Sequence, residues 1–176
     1  MIAPVSIAHT HVYSLRILSG AEALVARVLT TEGGAGYGFT LNLDAATARD
    51  MAVWDALARS RSVPLYALIG GCRRSSVAVE SDGGRGTLLR VDPFAVGSVE
   101  GVLTIAARAE GALALVAPNA HPWEIAYCAA LAAAYAGSDV RIVSPAEPPF
   151  ASIAVPEVPG VGVDWSLEPA FAAIRW

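Results

Sequence analysis

The chain has 176 residues, a formal net charge of −4, and a composition that is 55% hydrophobic and only 16% charged. This length fits one domain, or one domain with a small additional lobe, and such an apolar composition excludes a disordered chain. The acidic balance excludes a basic surface for nucleic acid. All 12 cationic side chains are arginine, which excludes a catalytic or phosphate-binding lysine in this chain.

The two cysteines, Cys72 and Cys128, are far apart in sequence and form no Cys-x-x-Cys motif. Two packed thiols in a reducing compartment are therefore expected. The first residues have neither the basic start nor the long apolar run of a signal peptide. The most apolar helix-like segment, residues 125–137, is too short to span a bilayer. We therefore expect a cytoplasmic protein without a membrane or nucleic-acid partner.

The first part of the chain predicts an antiparallel sheet followed by a helix. Residues 5–17 alternate apolar and polar, and residues 23–40 contain two strand-like runs around a glycine turn, which together predict a three-stranded meander. Asp44 can cap a helix that ends shortly before Pro64, because the residue ahead of a proline disfavours helical geometry. A short apolar turn then stops at Gly70.

The second part of the chain alternates strand-like and helix-like segments. Strands are predicted at residues 75–81, 87–98 and 112–121, and helices at residues 98–111 and 122–137. Strand–helix alternation with continuously apolar strands is typical of a parallel sheet covered by helices. Residues 141–176 are rich in Pro and Gly and are expected to wrap the surface.

Several of these segments together resemble one family. The stretch "DMAVWDALARSRSVPLYALIGG" resembles the end of the capping domain in the enolase superfamily, in its mandelate racemase/muconate lactonizing enzyme branch. "LVARVLTTEGGAGYGF" resembles that domain's hairpin, with Phe39 where Glu is usual. Residues 90–111 and 115–134 resemble the seventh and eighth barrel strands with their helices, and "VPEVPGVGVDWS" resembles the family's carboxyl-terminal tail.

The resemblance implies a shortened version of this fold. It places a reduced α+β capping lobe at residues 1–72, a truncated TIM-barrel remnant at residues 73–140, and a tail at residues 141–176 that packs back on the cap. A complete barrel takes about 250 residues. Residues 75–86 resemble the first barrel strand, and the next piece that resembles the barrel is already the seventh strand. Strands two to six therefore have no counterpart. The remaining strands should form a parallel sheet in the family order 7–8–1. Its uncovered face suggests a homo-oligomer or a complementing chain.

The absent strands are those that, in the family, supply a lysine base and the acidic ligands of Mg²⁺. The chain has no lysine. The expected function is therefore a binding or interaction module without the Mg²⁺-dependent proton abstraction. The alternative is a Mg²⁺-dependent racemase, cycloisomerase or acid-sugar dehydratase, an isomerase or lyase acting on a small carboxylate ligand. Its metal ligands would be completed by oligomerisation or by a partner.

Candidate site residues follow the predicted strands. By resemblance, Glu124 is a catalytic candidate with His121 beside it; the alternative is that Glu124 complements the helix dipole and His121 caps a loop. Oxygen ligands for Mg²⁺ could come from side chains at the strand ends. These metal candidates are Asp92, Glu80, Asp82 and Asn119. For Asp92 the alternative is a turn residue ahead of a proline.

Four other polar residues are expected to be structural. His9 and His11 lie two residues apart on the first strand but lack a third metal ligand in register, so a solvent-facing pair is expected. Asp50 and Asp55 flank Trp54 on the predicted helix and resemble packing and salt-bridge positions of the family.

Overall fold

The computed structural model describes residues 5–71, 74–81, 88–109, 112–137, 139–148 and 150–174. Its amino-terminal lobe is the predicted antiparallel meander, with strand order β1-β2-β3. The elements of this lobe are β1 (Ile7–Arg16), β2 (Glu22–Thr30), β3 (Ala35–Thr40), α1 (Ala45–Ser60) and α2 (Leu65–Ile69). The Asp44 side chain caps α1 by accepting hydrogen bonds from the backbone N–H groups of Ala46 and Thr47. Gly70, with φ of 151°, ends α2.

Helix α1 lies unusually close to the meander. A Cβ atom on Gly36 would come within 2.2 Å of the Ala52 carbonyl oxygen, and one on Gly38 within 2.1 Å of the Ala48 carbonyl oxygen. Small buried side chains fill this contact: Ala26, Val28, Ala48, Ala52 and Ala56. Only glycine fits on β3 here, which explains the "GYG" sequence of that strand.

The second lobe is a five-stranded sheet in the order β5-β6-β7-β4-β8. Its elements, in chain order, are β4 (Ser76–Ser81), β5 (Leu89–Val91), α3 (Pro93–Val96), α4 (Val99–Ala106), β6 (Ala112–Val116), α5 (Pro122–Ala134), β7 (Asp139–Ser144), β8 (Ser152–Ala154), a 3₁₀ turn (Trp165–Leu167) and α6 (Pro169–Ala172). The first four strands of the sheet are parallel, and β8 joins β4 antiparallel. The fold class, an α+β cap joined to a mostly parallel α/β sheet, is confirmed.

The sheet contains one strand that the sequence analysis assigned to the tail. Strand β7 pairs with β6 on one side and with β4 on the other. The order 7–8–1 would place β6, the eighth family strand, directly beside β4, the first. In the structure β7 lies between them. Val140 and Ile142 of β7 are buried with the core, while Arg141 between them is half-exposed. The strand predicted at residues 87–98 is also shorter, because Asp92 and Pro93 begin α3.

The face of this sheet that points away from the core is charged. Arg141 binds Glu80 across the β7–β4 pair at 3.1 Å and Asp139 on its own strand at 2.9 Å. Among the described residues, the exposed large apolar side chains lie outside β4 to β7: Ile7, Leu18, Leu43, Phe150, Val158 and Leu167. The sheet face is therefore partly polar, not the continuous apolar surface that a cut barrel would leave.

The segment after β8 joins the two lobes. The Leu65 backbone N–H donates to the Gly160 carbonyl oxygen at 2.8 Å, and the Gly160 N–H donates to the Val63 carbonyl oxygen at 3.2 Å. Val161 and Val163 are buried in the main core, which is shared between the meander, α5 and the parallel sheet. This segment therefore holds α1 and α2 against the second lobe.

Candidate functional site

The carboxyl ends of β5 and β6 carry the first group of predicted site residues. Asp92 follows β5 directly and caps α3: its Oδ1 accepts hydrogen bonds from the Phe94 N–H at 2.8 Å and the Ala95 N–H at 3.2 Å. Asn119 lies in the turn after β6, three residues ahead of α5. Asp92 therefore has the helix-start role that was the alternative to a metal ligand.

Glu124 lies in the first turn of α5 and its side chain is buried. Its Oε2 accepts a hydrogen bond from the Asn119 backbone N–H at 2.8 Å, and its Oε1 accepts one from Asn119 Nδ2 at 2.7 Å. Burial raises the pKa of the Glu124 carboxyl above its ordinary value, and the hydrogen bonds from Asn119 act in the opposite direction. Both oxygens of Glu124 are thus used to hold the turn that precedes its own helix.

His121 is the N-cap of α5 and is also buried. Its Nδ1 accepts a hydrogen bond from the Trp123 N–H at 3.2 Å, which leaves the proton of a neutral ring on Nε2. Nε2 lies 2.9 Å from Oε1 of Glu168, and Oε2 of Glu168 accepts from the Leu18 N–H at 2.8 Å. Through Glu168, His121 therefore links α5 to the tail and to the β1–β2 turn. Glu124 has a different partner, Asn119.

Glu168 is the residue of this site that sequence reasoning missed. It is buried, with 4% of its surface exposed, and it lies directly ahead of the proline that begins α6. The residues next to Glu168 in the sequence do not distinguish it from the exposed acidic residues of the same tail. Its partner His121 is 47 positions away, so only the folded chain reveals the pair.

The metal-ligand candidates do not form one site. Glu80 lies on β4 and is paired with Arg141, while Asp92 and Asn119 lie beyond β5 and β6 on the other side of β7. Asp82 falls outside the described residues. Within the described ranges, no three His, Cys, Asp or Glu side chains are grouped so that they could hold a metal ion. Each described candidate has a structural contact instead: Asp92 caps α3, Glu80 pairs with Arg141, and Asn119 donates to Glu124.

Aromatic side chains fill the space between the meander and the strand ends. Phe39 of β3 is completely buried, with its ring centroid 5.3 Å from that of Trp123 and 5.5 Å from that of Phe94. Trp165 lies 5.0 Å from Trp123 and stacks on Phe171 at 4.8 Å. Phe39, Phe94, Trp123, Trp165 and Phe171 form this aromatic cluster. The resemblance implies a Glu at position 39, but a carboxylate there would be buried among rings.

The residues expected to be structural have such contacts. Asp50 accepts a hydrogen bond from the Val99 N–H at 2.8 Å and so joins α1 to α4. Asp55 is buried, and its oxygens accept from Arg59 Nε at 2.5 Å and from the backbone N–H groups of Tyr37 at 2.9 Å and Val161 at 2.8 Å. His9 and His11 are exposed on β1, with ring centroids 6.4 Å apart.

A cavity of about 370 Å³ lies away from this site, between α4 and α5. Aliphatic side chains of both helices and of β6 line it, among them Leu103, Ala106, Leu113 and Leu131. Cys128 of α5 is a buried free thiol elsewhere in the core, and burial raises its pKa well above the ordinary value.

Comparison with known proteins assigns the first lobe. Residues 6–70 match the family "Mandelate racemase / muconate lactonizing enzyme, N-terminal domain". The amino-terminal lobe is similar to this domain over nearly its whole length. The resemblance drawn from the "DMAVWDALARSRSVPLYALIGG" stretch and from the meander is therefore confirmed. A comparison with curated protein sequences gave no match.

Solved structures extend the likeness to the second lobe. A mandelate racemase/muconate lactonizing enzyme from Sulfitobacter sp. has 13% identity and a TM-score of 0.57, with 96% of this chain and 95% of that chain covered. A racemase from Streptomyces coelicolor A3(2) with bound magnesium has 16% identity and a TM-score of 0.38, with 77% of this chain and 54% of that chain covered. The Sulfitobacter chain shares the fold, whereas this chain spans about half the length of the racemase.

A muconate cycloisomerase from Pseudomonas fluorescens gives a similar partial match. It has 14% identity and a TM-score of 0.39, with 80% of this chain and 51% of that chain covered. No helix among the described residues is long and apolar enough to cross a membrane.

Proposed function

We propose that this protein is a binding or interaction module with the mandelate racemase/muconate lactonizing enzyme fold, and that it does not carry out Mg²⁺-dependent proton abstraction. The observation that carries the proposal is the bonding of Glu124. Both of its oxygens accept hydrogen bonds from Asn119, at 2.7 and 2.8 Å, and the residue is 1% exposed, so a ligand or metal could reach the carboxylate only if the buried site opened.

The aromatic cluster supports the same proposal. Active sites of α/β barrels lie at the carboxyl ends of the strands, and here that region faces the meander. Phe39, Phe94 and Trp123 are buried there, with exposed fractions of 2% or less. A substrate would need this volume, so the interior between the lobes serves packing.

The experiment is a Mg²⁺ titration followed by thermal unfolding and by calorimetry. Binding to the native state would raise the melting temperature by mass action, and we expect no rise and no heat of binding at millimolar Mg²⁺. Asp92→Asn and Asp164→Asn form a matched pair, because both aspartates cap a short helical turn and only Asp92 lies at the strand ends. A Mg²⁺-dependent rise that Asp92→Asn abolishes and Asp164→Asn preserves would overturn the proposal.

The alternative is a Mg²⁺-dependent isomerase or lyase that acts on a carboxylate substrate. One observation favours it: Glu124 is a buried carboxyl with a raised pKa at the ends of the strands, and such groups are frequent in active sites. Its test is turnover of a panel of racemase, cycloisomerase and acid-sugar substrates with Mg²⁺ present. Turnover that Glu124→Gln abolishes would establish this alternative.

A further inference from the structure

The outer edge of β1 is the least protected strand edge among the described residues. In that part of the chain β1 pairs with β2 alone, and it is 10 residues long. Residues 5–15 contain no charged residue, no proline and no glycine. Natural edge strands are kept from pairing by short length, by prolines, by charged side chains or by bulges. The register of β1 against β2 shifts between Ile7 and His9, but from residue 9 to residue 15 the strand has none of these protective features.

The other edges are protected. Strands β5 and β8 have three residues each, and Pro156 follows β8 closely. On β3, the outward N–H of Tyr37 donates to the Asp55 carboxylate at 2.9 Å. The contrast singles out β1 as an edge that is available for pairing.

The backbone groups that face this edge follow from the β1–β2 hydrogen bonds. The Ile17 N–H donates to the Ala21 carbonyl oxygen of the hairpin at 3.0 Å. Hydrogen-bonded pairs alternate along antiparallel strands, so the odd-numbered residues from His9 to Leu15, beyond the register shift, bond to β2. The N–H and C=O groups of Thr10, Val12 and Ser14 therefore point to the open side.

We propose that β1 pairs antiparallel with β1 of a second copy of this chain, about a twofold axis at His11. In this register residues 9–13, which lie beyond the register shift between Ile7 and His9, pair with residues 9–13 of the second copy. Thr10 faces Val12 of the second copy, so that outward backbone groups meet each other. His9 faces Tyr13 of the second copy, and such aromatic cross-strand pairs stabilise sheets. The two meanders would form one six-stranded sheet.

The side chains allow this pairing. Because residues 5–15 are uncharged, the twofold axis brings no like charges together. The pairing of a single strand with its copy is a small interface, below the standard size of about 800 Å² per partner for stable complexes. We therefore expect a monomer–dimer equilibrium that depends on protein concentration. The inference names a partner for the interaction module and so rests on the proposed function.

The first test is cross-linking of His11→Cys under mild oxidation, analysed on non-reducing gels. Directly opposed residues in a non-hydrogen-bonded antiparallel pair have Cα atoms about 4.5 Å apart, which permits a disulfide. Thr10→Cys is the matched control, since Thr10 is equally exposed on β1 but lies opposite Val12. The parent chain gives the baseline for Cys72 and Cys128. A covalent dimer of His11→Cys alone supports the register, and equal cross-linking of Thr10→Cys overturns it.

The second test is a charge swap at the twofold axis, measured by light scattering over a range of concentrations. His11→Glu and His11→Lys should each be monomeric, because the new charge meets its own copy, and an equimolar mixture should restore the dimer. Arg27 of β2 lies beside His11 in register, and both variants keep this neighbour. A parent chain that is monomeric throughout, or single variants that remain dimeric, would overturn the inference. Mg²⁺ binding with intact His11→Cys cross-linking would instead overturn only the non-catalytic part of the proposed function.

Discussion

Replacement of Asp55 by alanine should destabilise the protein more than any other single change on α1 that removes a carboxylate. Asp55 is completely buried, and its two oxygens bind Arg59, the Tyr37 N–H and the Val161 N–H. It thus connects α1, β3 and the segment after β8. Alanine would leave two backbone donors without an acceptor in the interior.

The magnitude follows from these contacts. A buried donor that loses its acceptor costs about 1–3 kcal/mol. Arg59 is 37% exposed at its side chain, so water can solvate its guanidinium and its loss adds little. Two orphaned N–H groups together predict a loss of about 2–6 kcal/mol in the free energy of unfolding. That is a large part of the roughly 5–15 kcal/mol that stabilises a typical domain.

The assay is urea unfolding of the parent chain and of two alanine variants on the same helix. Asp50→Ala is the matched control, because Asp50 is half-buried and accepts one hydrogen bond, from the Val99 N–H. Its loss should cost about 1 kcal/mol. An Asp55→Ala variant that is no less stable than Asp50→Ala, with an unchanged m-value, would refute the reasoning.

Substitutions at three further positions test the packing at Phe39 of the meander and the electrostatics and packing of the second lobe at Glu124 and Ala106. Phe39→Glu, which restores the family's usual residue, should lower the free energy of unfolding by about 4 kcal/mol or more, and Phe39→Leu by far less; equal effects in chemical denaturation would contradict the aromatic-cluster argument. Because the pKa of Glu124 is raised, the native state keeps the carboxyl proton to a higher pH than the unfolded chain does. The contribution of Glu124 to the free energy of unfolding therefore falls as the pH rises above about 4.5. Glu124→Gln should flatten the pH dependence of unfolding in that window, and an unchanged slope would contradict the burial assignment. Ala106→Leu should fill part of the 370 Å³ cavity and raise the free energy of unfolding by about 1 kcal/mol, and the absence of any gain in chemical denaturation would contradict the cavity-filling argument.

The amino-terminal lobe could be predicted closely because its signals are local. The alternation of residues 5–17, the cap at Asp44 and the stop at Gly70 each depend on a few neighbouring residues, and all three features are in the structure. Strand β7 was missed although "DVRIVS" alternates like a strand. Its flanking prolines and glycine suggested a tail, and only its pairing with both β6 and β4 makes it a central strand.

The sequence could predict which residues lie at the candidate site, but not which groups their side chains contact. The sequence places Asp92, Asn119, His121 and Glu124 after two strands, and the structure brings them to one edge of the sheet. What each side chain binds depends on distant partners. Glu168, which pairs with His121, comes from a helix start near the end of the described chain, and no local pattern connects the two.

The link between Asp55 and Val161 has a consequence for biosynthesis. These residues are 106 positions apart, and at about 5–20 residues per second a ribosome needs roughly 5–20 s to travel from one to the other. By then every strand and helix of the amino-terminal lobe has been synthesised, but the Asp55 carboxylate still lacks one of its donors. During synthesis the amino-terminal lobe therefore lacks the hydrogen bond from Val161 to Asp55 until the second lobe has been translated.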